Sequence, residues 1–461
     1  MPCMRPAPLS RAPSGSMAEK RLGRFVRDSA GVFGAQMLAT GLGVGTSIIT
    51  ARVLGPHDRG LYQLLTLLPI TLSNFVKLGI PQANVYFMRR RGASASAVAS
   101  HSLWLALGLG GGLAVVCFLC RGWFLAHFLK GAPPITILPV LLLLPFVLLQ
   151  TFFSAVLQAE ERFREYNFQQ VAPTLFGLVG MAVALLWLRA GLAGAIITQT
   201  LVVGGVTVWL ALRVHRTAPL RPTWDPHLAR GMMTFGSKSY LQTLATTLHF
   251  RIDQYMIGFL LDPAQVGLYA VATNLTNLLL KISDATGTVL YPRLAAAGER
   301  DAHAQTSAVC RHTLFMTVVV ALGYELFGGV GIRLLFGERY AGAILPMRLM
   351  LPGIVMISLY MILTRNFTSR NRQEINIAAA ATALGINVGL NWVLIPRWGI
   401  AGAAISTAVS YSAAALILLV AFARESGCSV AETLLIGRAD LDGYRQLAAR
   451  GRRLAPAEAA E

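Results

Sequence analysis

The stretch VLGPHDRGLYQ, residues 53–63, follows the first long apolar run of the chain, and LLDPAQVGLYA, residues 260–270, writes it again. Both read Leu-x-Pro-x-x-x-Gly-Leu-Tyr. Leu54, Pro56, Gly60, Leu61 and Tyr62 return as Leu261, Pro263, Gly267, Leu268 and Tyr269, at an offset of 207 residues. Other punctuation returns at nearly the same step. Pro139 and Pro145 return as Pro346 and Pro352 at 207, Glu165 and Asn167 as Glu374 and Asn376 at 209, and GLAGAI at 191–196 as GIAGAA at 399–404 at 208. Landmarks recurring in one order at nearly one spacing mark a duplicated unit.

What is duplicated follows from composition. The 461 residues are 55% hydrophobic and only 13% charged, with a mean hydropathy of +0.57. A soluble domain carries about 25% charged residues. Apolar windows of membrane-spanning length recur along the chain, so it reads as a polytopic helical membrane protein. The pattern predicts twelve spans, at 29–52, 61–88, 96–120, 135–158, 166–188, 192–213, 232–260, 265–291, 305–329, 341–364, 374–395 and 399–422. The repeat is therefore a six-helix unit, and an even unit keeps its orientation in both copies. The two bundles are then related by an axis along the membrane normal, with a cleft between them. Pro56 and Gly60 are expected to break the helix between spans 1 and 2, and Tyr62 is expected at the membrane interface, where an amphipathic ring is favoured.

The resulting organisation is a basic N-terminal segment (1–27), a first bundle (28–213), a linker (214–231), a second bundle (232–423) and a polar tail (424–461). Residues 1–27 lack the apolar core of a cleavable signal peptide, and Met17 is an alternative start. The net charge of +19 concentrates in the two termini and in alternate loops, including Arg89-Arg90-Arg91. That is the positive-inside bias, which predicts cytoplasmic termini rather than a nucleic-acid partner. Of the five cysteines, Cys117 and Cys120 form an isolated C-x-x-C inside an apolar helix. It carries neither a metal nor a disulfide framework. His101 and His249 stand alone in their spans and read as packing residues, and no cofactor is expected.

Charges inside spans are the functional signal. The basic ones are Lys77, Lys238, Arg251, Lys281, Arg311 and Arg348, and the acids are Asp253, Asp284 and Glu325. Each costs roughly 2.5–3.5 kcal/mol at the bilayer centre, so most must face water or a partner. Snorkelling to the interface competes as an account of Arg311, Arg348 and Lys238. Lys281 and Asp284 are one turn apart and could pair. Arg251 and Asp253 cannot share a helix face. Lys77 and Asp284 each lie fifteen residues beyond a repeat tyrosine and are pseudo-symmetric counterparts. The excess of cations suits an anionic ligand such as a phosphate or pyrophosphate headgroup.

ARVLGPHDRGLYQ, LQAEERFREYN after span 4 and AGLAGAIIT opening span 6 together resemble the polysaccharide transporter family, Wzx-like oligosaccharide flippases of the multidrug/oligosaccharidyl-lipid/polysaccharide (MOP) exporter superfamily. The resemblance covers about residues 25–425. It implies V-shaped bundles, alternating access, a bacterial inner-membrane location, and flipping of an undecaprenyl-pyrophosphate-linked oligosaccharide from the cytoplasmic to the periplasmic leaflet. It also implies a cavity lined by spans 1, 2, 7 and 8, holding Arg52, Lys77, Lys238, Arg251, Asp253, Lys281 and Asp284. A coupling proton or sodium ion, and polysaccharide polymerase or export proteins, are the further partners it brings with it. An ion-coupled small-molecule exporter on the same scaffold remains the alternative. An enzyme is disfavoured, because the outward loops are short and hold no His/Asp/Glu cluster. A major-facilitator transporter is disfavoured because its loop signature is missing from YFMRRRGASA.

Overall fold

The computed structural model describes residues 15–221, 224–296 and 299–436, so most of the polar tail and residues 1–14 lie outside the described residues. Every regular element among them is helical. The first half comprises α1 (Gly15–Val76), α2 (Ile80–Arg90), α3 (Ala95–Leu119), the short α4 (Arg121–His127), α5 (Ile137–Ala159), α6 (Phe163–Met181), which continues as a π-helical turn, and α7 (Gly191–Thr217). The second comprises α8 (Pro226–His249), α9 (Ile252–Leu260), α10 (Pro263–Ala296), α11 (Glu299–Phe336), α12 (Ile344–Ser369), α13 (Gln373–Ser426) and α14 (Val430–Leu434).

Eight helical runs among the described residues are long and apolar enough to cross a bilayer. Two of them, in α1 and α13, bend at a single non-helical glycine, Gly55 (φ 73°) and Gly399 (φ 58°). Each bent helix supplies two of the twelve expected passes. The expected seventh and eighth passes correspond to α8–α9 and α10, the stretch that carries Lys238, Arg251, Asp253, Lys281 and Asp284. The chain is a multi-pass, all-α membrane protein.

The duplication is legible in the backbone. The corner after α5 turns through Glu161 at φ 58°, and the equivalent corner after α12 turns through Asn371 at φ 59°. Gly191 and Gly399 adopt φ 57° and 58° at matching places. Ion pairs repeat as well: Arg162 holds Glu165 at 2.8 Å and Arg372 holds Glu374 at 2.6 Å. The repeat tyrosines do likewise. Tyr62 donates to Gln199 on α7 at 3.3 Å, and Tyr269 meets Thr407 on α13 at 3.1 Å, each reaching the sixth pass of its own half. Both rings are buried. The Tyr62 hydroxyl is satisfied inside the bundle.

The opening motif has a different physical role from the one its composition suggests. The bend is made by Gly55 alone. Pro56 opens the next helical segment, where its missing N–H costs nothing, and Gly60 is helical. A Cβ on Gly60 would lie 1.7 Å from the Pro263 carbonyl oxygen, and one on Gly267 would lie 2.1 Å from that of Pro56. The two copies of the motif pack on each other, glycine to carbonyl in both directions. A second close approach joins the halves further along, where a Cβ on Gly79 would meet the Gly236 carbonyl oxygen at 2.2 Å.

Spans 2 and 7 are also broken rather than continuous. After Val76 the backbone turns through Leu78 (φ 45°) and Gly79 (φ 67°), because Pro81 has no N–H to continue the ladder and Ile80 bonds to the Lys77 carbonyl instead. Span 7 breaks between His249 and Ile252, with Arg251 at φ −133°.

Candidate functional site

The seven charged residues expected to form the site separate into distinct environments. Lys77 and Arg251 both occupy helix breaks. Irregular backbone at membrane depth is tolerated where it is buried in protein or lines a water-filled cavity. Lys77 Nζ donates to Asn74 at 2.6 Å. The Lys281 side chain makes no hydrogen bond or ion pair to any described residue, and the Arg251 guanidinium makes none either but lies within electrostatic reach of Asp253. Asp284 pairs with Arg365 of α12 at 3.6 Å and not with Lys281. Asp253 is buried and fully engaged: it accepts from the Tyr269 hydroxyl at 2.5 Å, from Thr407 at 3.3 Å and from the Gln254 amide at 2.8 Å. Arg52 is exposed and ties the end of the first pass to α11 through the carbonyls of Leu334 and Leu335. Lys238 lies on α8, and its side chain is outside the described residues. Arg348 and Glu325 pair with each other at 3.2 Å.

None of the seven lines the cavity that lies between the halves. That cavity, of about 410 Å³, is bounded by Thr40, Ser47 and Thr50 of the first pass, Arg59 and Tyr62 of the second, Thr174 of α6, Gln199 of α7, Asn274 of α10 and Phe336 of α11. The first pass supplies its wall for a clear reason. Gln36, Thr40, Gly43, Ser47 and Thr50 recur at helical spacing, so one stripe of an otherwise apolar helix is polar and small. The resemblance implied spans 1, 2, 7 and 8 as the lining; here α6, α7 and α11 replace span 7.

Arg59 is the cation of this cavity. It is only 4% exposed, donates to the Ser47 hydroxyl at 3.2 Å, and carries its guanidinium 5.4 Å from the Tyr62 ring centroid. Its Nε has no hydrogen-bond partner among the described residues. A guanidinium keeps its charge when buried, and no carboxylate lines the cavity to neutralise it. The chamber is therefore cationic, rich in hydroxyl and amide groups, and able to take an anionic oxygen on a preset donor. Sequence reasoning missed Arg59 because it follows Pro56 and looked like loop. The repeat motif that contains it was the available signal, since its nine residues, 54–62, turn out to be helical except at Gly55.

The halves are held around this chamber by specific ties. Tyr340 donates to the Ala51 carbonyl at 2.9 Å, Gln63 donates to Gln254 at 3.1 Å, and Tyr255 donates to the Leu67 carbonyl at 3.0 Å. The two histidines are packing residues: His101 bonds Ala97 and Asp225, and His249 bonds Ser410.

Comparison with known proteins agrees with this geometry. A family model described as "Polysaccharide biosynthesis protein" matches residues 25–298. A probable low-salt glycan biosynthesis flippase, Agl15, of Haloferax volcanii is 22% identical over 188 residues, 40% of each chain. A probable lipid II flippase, MurJ, of Thermotoga maritima is 23% identical over 282 residues, 59% of this chain and 58% of that one. The chain thus spans less than two thirds of the length of these curated relatives. Among solved structures, the lipid II flippase MurJ in an inward closed conformation superimposes with a TM-score of 0.73 at 12% identity, over 86% of this chain and 87% of that one. An inward-facing multidrug resistance MATE transporter of the MOP superfamily gives 0.67 at 17% identity, over 84% and 94%. The fold is that of the MOP superfamily.

Proposed function

The chain belongs to the polysaccharide biosynthesis protein family, and from that premise we propose that it is a flippase for a lipid-linked oligosaccharide. The substrate is an undecaprenyl-pyrophosphate-linked glycan, moved from the cytoplasmic to the periplasmic leaflet by alternating access, with both termini cytoplasmic. One observation carries the reading: Arg59, a buried cation, lines a cavity whose polar wall is made of hydroxyls and amides and which no carboxylate lines. A pyrophosphate finds there a charge-assisted donor in a low-dielectric setting, where such a bond is strongest. A cationic drug finds only repulsion, which argues against the small-molecule exporter.

Lys77, Arg251 and Lys281 extend the positive character along the path between the halves. Two of them sit at helix breaks, and the side chains of Arg251 and Lys281 hydrogen-bond to no described residue. Lys238 keeps its place in the proposal by position on α8. Arg52 serves as a tie between helices, and Asp284 is engaged with Arg365. Asp253 is the buried carboxylate of the second half, and it is the group through which a proton or sodium ion would couple to transport.

Reconstitution tests the proposal. Purified protein in liposomes carrying a fluorescent undecaprenyl-pyrophosphate disaccharide is expected to expose the lipid to a membrane-impermeant quencher far faster than empty liposomes do. Pumping of a cationic dye, with no acceleration of lipid movement, would transfer the assignment to the exporter alternative.

A further inference from the structure

A second chamber of about 410 Å³ opens near the corner between α5 and α6, bounded by Pro81, Gln150, Thr151, Ser154, Gln158, Tyr166, Gln169, Gln170 and Pro173. Its chemistry differs from that of the Arg59 chamber. It holds four glutamines, three hydroxyl side chains and no ionisable acid, lysine, arginine or histidine. Two helical stripes build it. Gln150, Ser154 and Gln158 recur at four-residue steps on α5, and Tyr166, Gln170 and Pro173 run along one face of α6. The opposite face of α6 presents Phe168, Leu175, Phe176 and Val179, all exposed, as a lipid-facing surface would. A stripe of amides does not belong on acyl chains.

Part of this polarity is left unused by the fold. One hydrogen bond joins the two helices here, from Ser154 to Gln169 Oε1 at 2.5 Å, which leaves the Gln169 amide nitrogen unengaged. Gln170 Nε2 donates to the Tyr166 hydroxyl at 3.1 Å, and its own carbonyl oxygen is left over. The side chains of Gln150 and Gln158 bond to no described residue. Each primary amide offers two donors and one acceptor oxygen, the complement of a sugar hydroxyl, which both donates and accepts. The volume lies within the roughly 300–1,000 Å³ of small-molecule sites.

We infer that this amide-lined chamber binds uncharged sugar residues of the translocated glycan, as a subsite next to the chamber that holds its anionic anchor. The two are contiguous: Pro173 lines both, and one turn of α6 separates Gln170 in the first from Thr174 in the second. A substrate with a pyrophosphate at Arg59 would lay its first sugars along that turn. The inference rests on the flippase reading and adds the class of glycan unit recognised.

The test compares two probes on full-length protein in nanodiscs: undecaprenyl pyrophosphate, and undecaprenyl pyrophosphate carrying a neutral N-acetylhexosamine disaccharide. The wild type is expected to bind the glycosylated lipid at least tenfold more tightly. In Gln150→Leu/Gln158→Leu that ratio falls to near one, whereas in Arg59→Gln both affinities drop and the ratio persists. Should the double variant fail to purify as a single species, the partnerless and exposed Gln158→Leu is measured alone, with a fall in the ratio again expected. Equal binding of both lipids by the wild type overturns the subsite and leaves the flippase reading standing, and so does a ratio unchanged in the glutamine variants. Binding of neither lipid overturns both.

Discussion

The reciprocal packing of the two repeat motifs makes the sharpest prediction. Gly60→Ala puts a methyl 1.7 Å from the Pro263 carbonyl oxygen, whereas ordinary contact begins at 3.4 Å. The obstacle is backbone of another helix and cannot rotate away. The second and eighth passes must therefore part by roughly 1.5 Å, and close-packed interiors resist such overpacking by about 1–3 kcal/mol. A backbone obstacle puts the cost near the top of that range, so we expect about 3 kcal/mol for Gly60→Ala, and slightly less for Gly267→Ala with its 2.1 Å approach. Because both substitutions open one interface, the double variant costs less than the sum. Thermal unfolding of the purified protein, followed by tryptophan fluorescence, is the assay. Gly111→Ala is the control, since nothing lies within 4 Å of its added methyl and alanine favours the helix. Melting of Gly60→Ala at the control's temperature would mean that the two motifs are not in contact, and the account of the repeat would fail with it.

Other consequences follow from particular contacts. Tyr269→Phe removes the donor that Asp253 meets at 2.5 Å and leaves a buried carboxylate short of a partner, a loss of about 1–3 kcal/mol in chemical unfolding. Asp253→Asn in that background restores part of the loss by removing the charge. Arg52→Ala severs two bonds to the end of α11, but the side chain is exposed. It should cost less than about 1 kcal/mol and leave lipid movement in liposomes near the wild-type rate, whereas a collapse of transport with normal stability would return Arg52 to the binding path. Asp284→Asn breaks a half-exposed pair with Arg365, and its melting temperature should stay within a degree or two of the wild type.

Much of the architecture was legible because a duplicated fold repeats its punctuation. The Pro-x-x-x-Gly motif, the Glu-x-Asn pair after the fourth and tenth passes and the Gly-x-Ala-Gly-Ala openings each mark an equivalent corner. What escaped has physical causes. A helix bent at one glycine reads as a loop flanked by two spans, so Arg59 was counted among loop charges although it is buried. The motif glycines read as helix breakers because close approach between distant segments leaves no trace in local sequence. Lys281 and Asp284 have the spacing of a helix pair, yet an arginine on a neighbouring helix reached the carboxylate instead, as tertiary contacts override local ones. The break at Arg251 lies in LHFRID, which contains neither glycine nor proline. The polar walls were overlooked for a further reason. Threonine, serine and glutamine carry no formal charge, so a search for ions in the membrane passes over stripes such as Gln36, Thr40, Ser47 and Thr50.

The most direct measurement is a structure of the protein with undecaprenyl pyrophosphate bound, determined by electron microscopy in nanodiscs. A phosphate oxygen within hydrogen-bonding distance of the Arg59 guanidinium, inside the chamber walled by Thr40, Ser47 and Asn274, is the expected result. A headgroup held on the outer, lipid-facing surface, with the Arg59 chamber collapsed or filled by side chains, would contradict it.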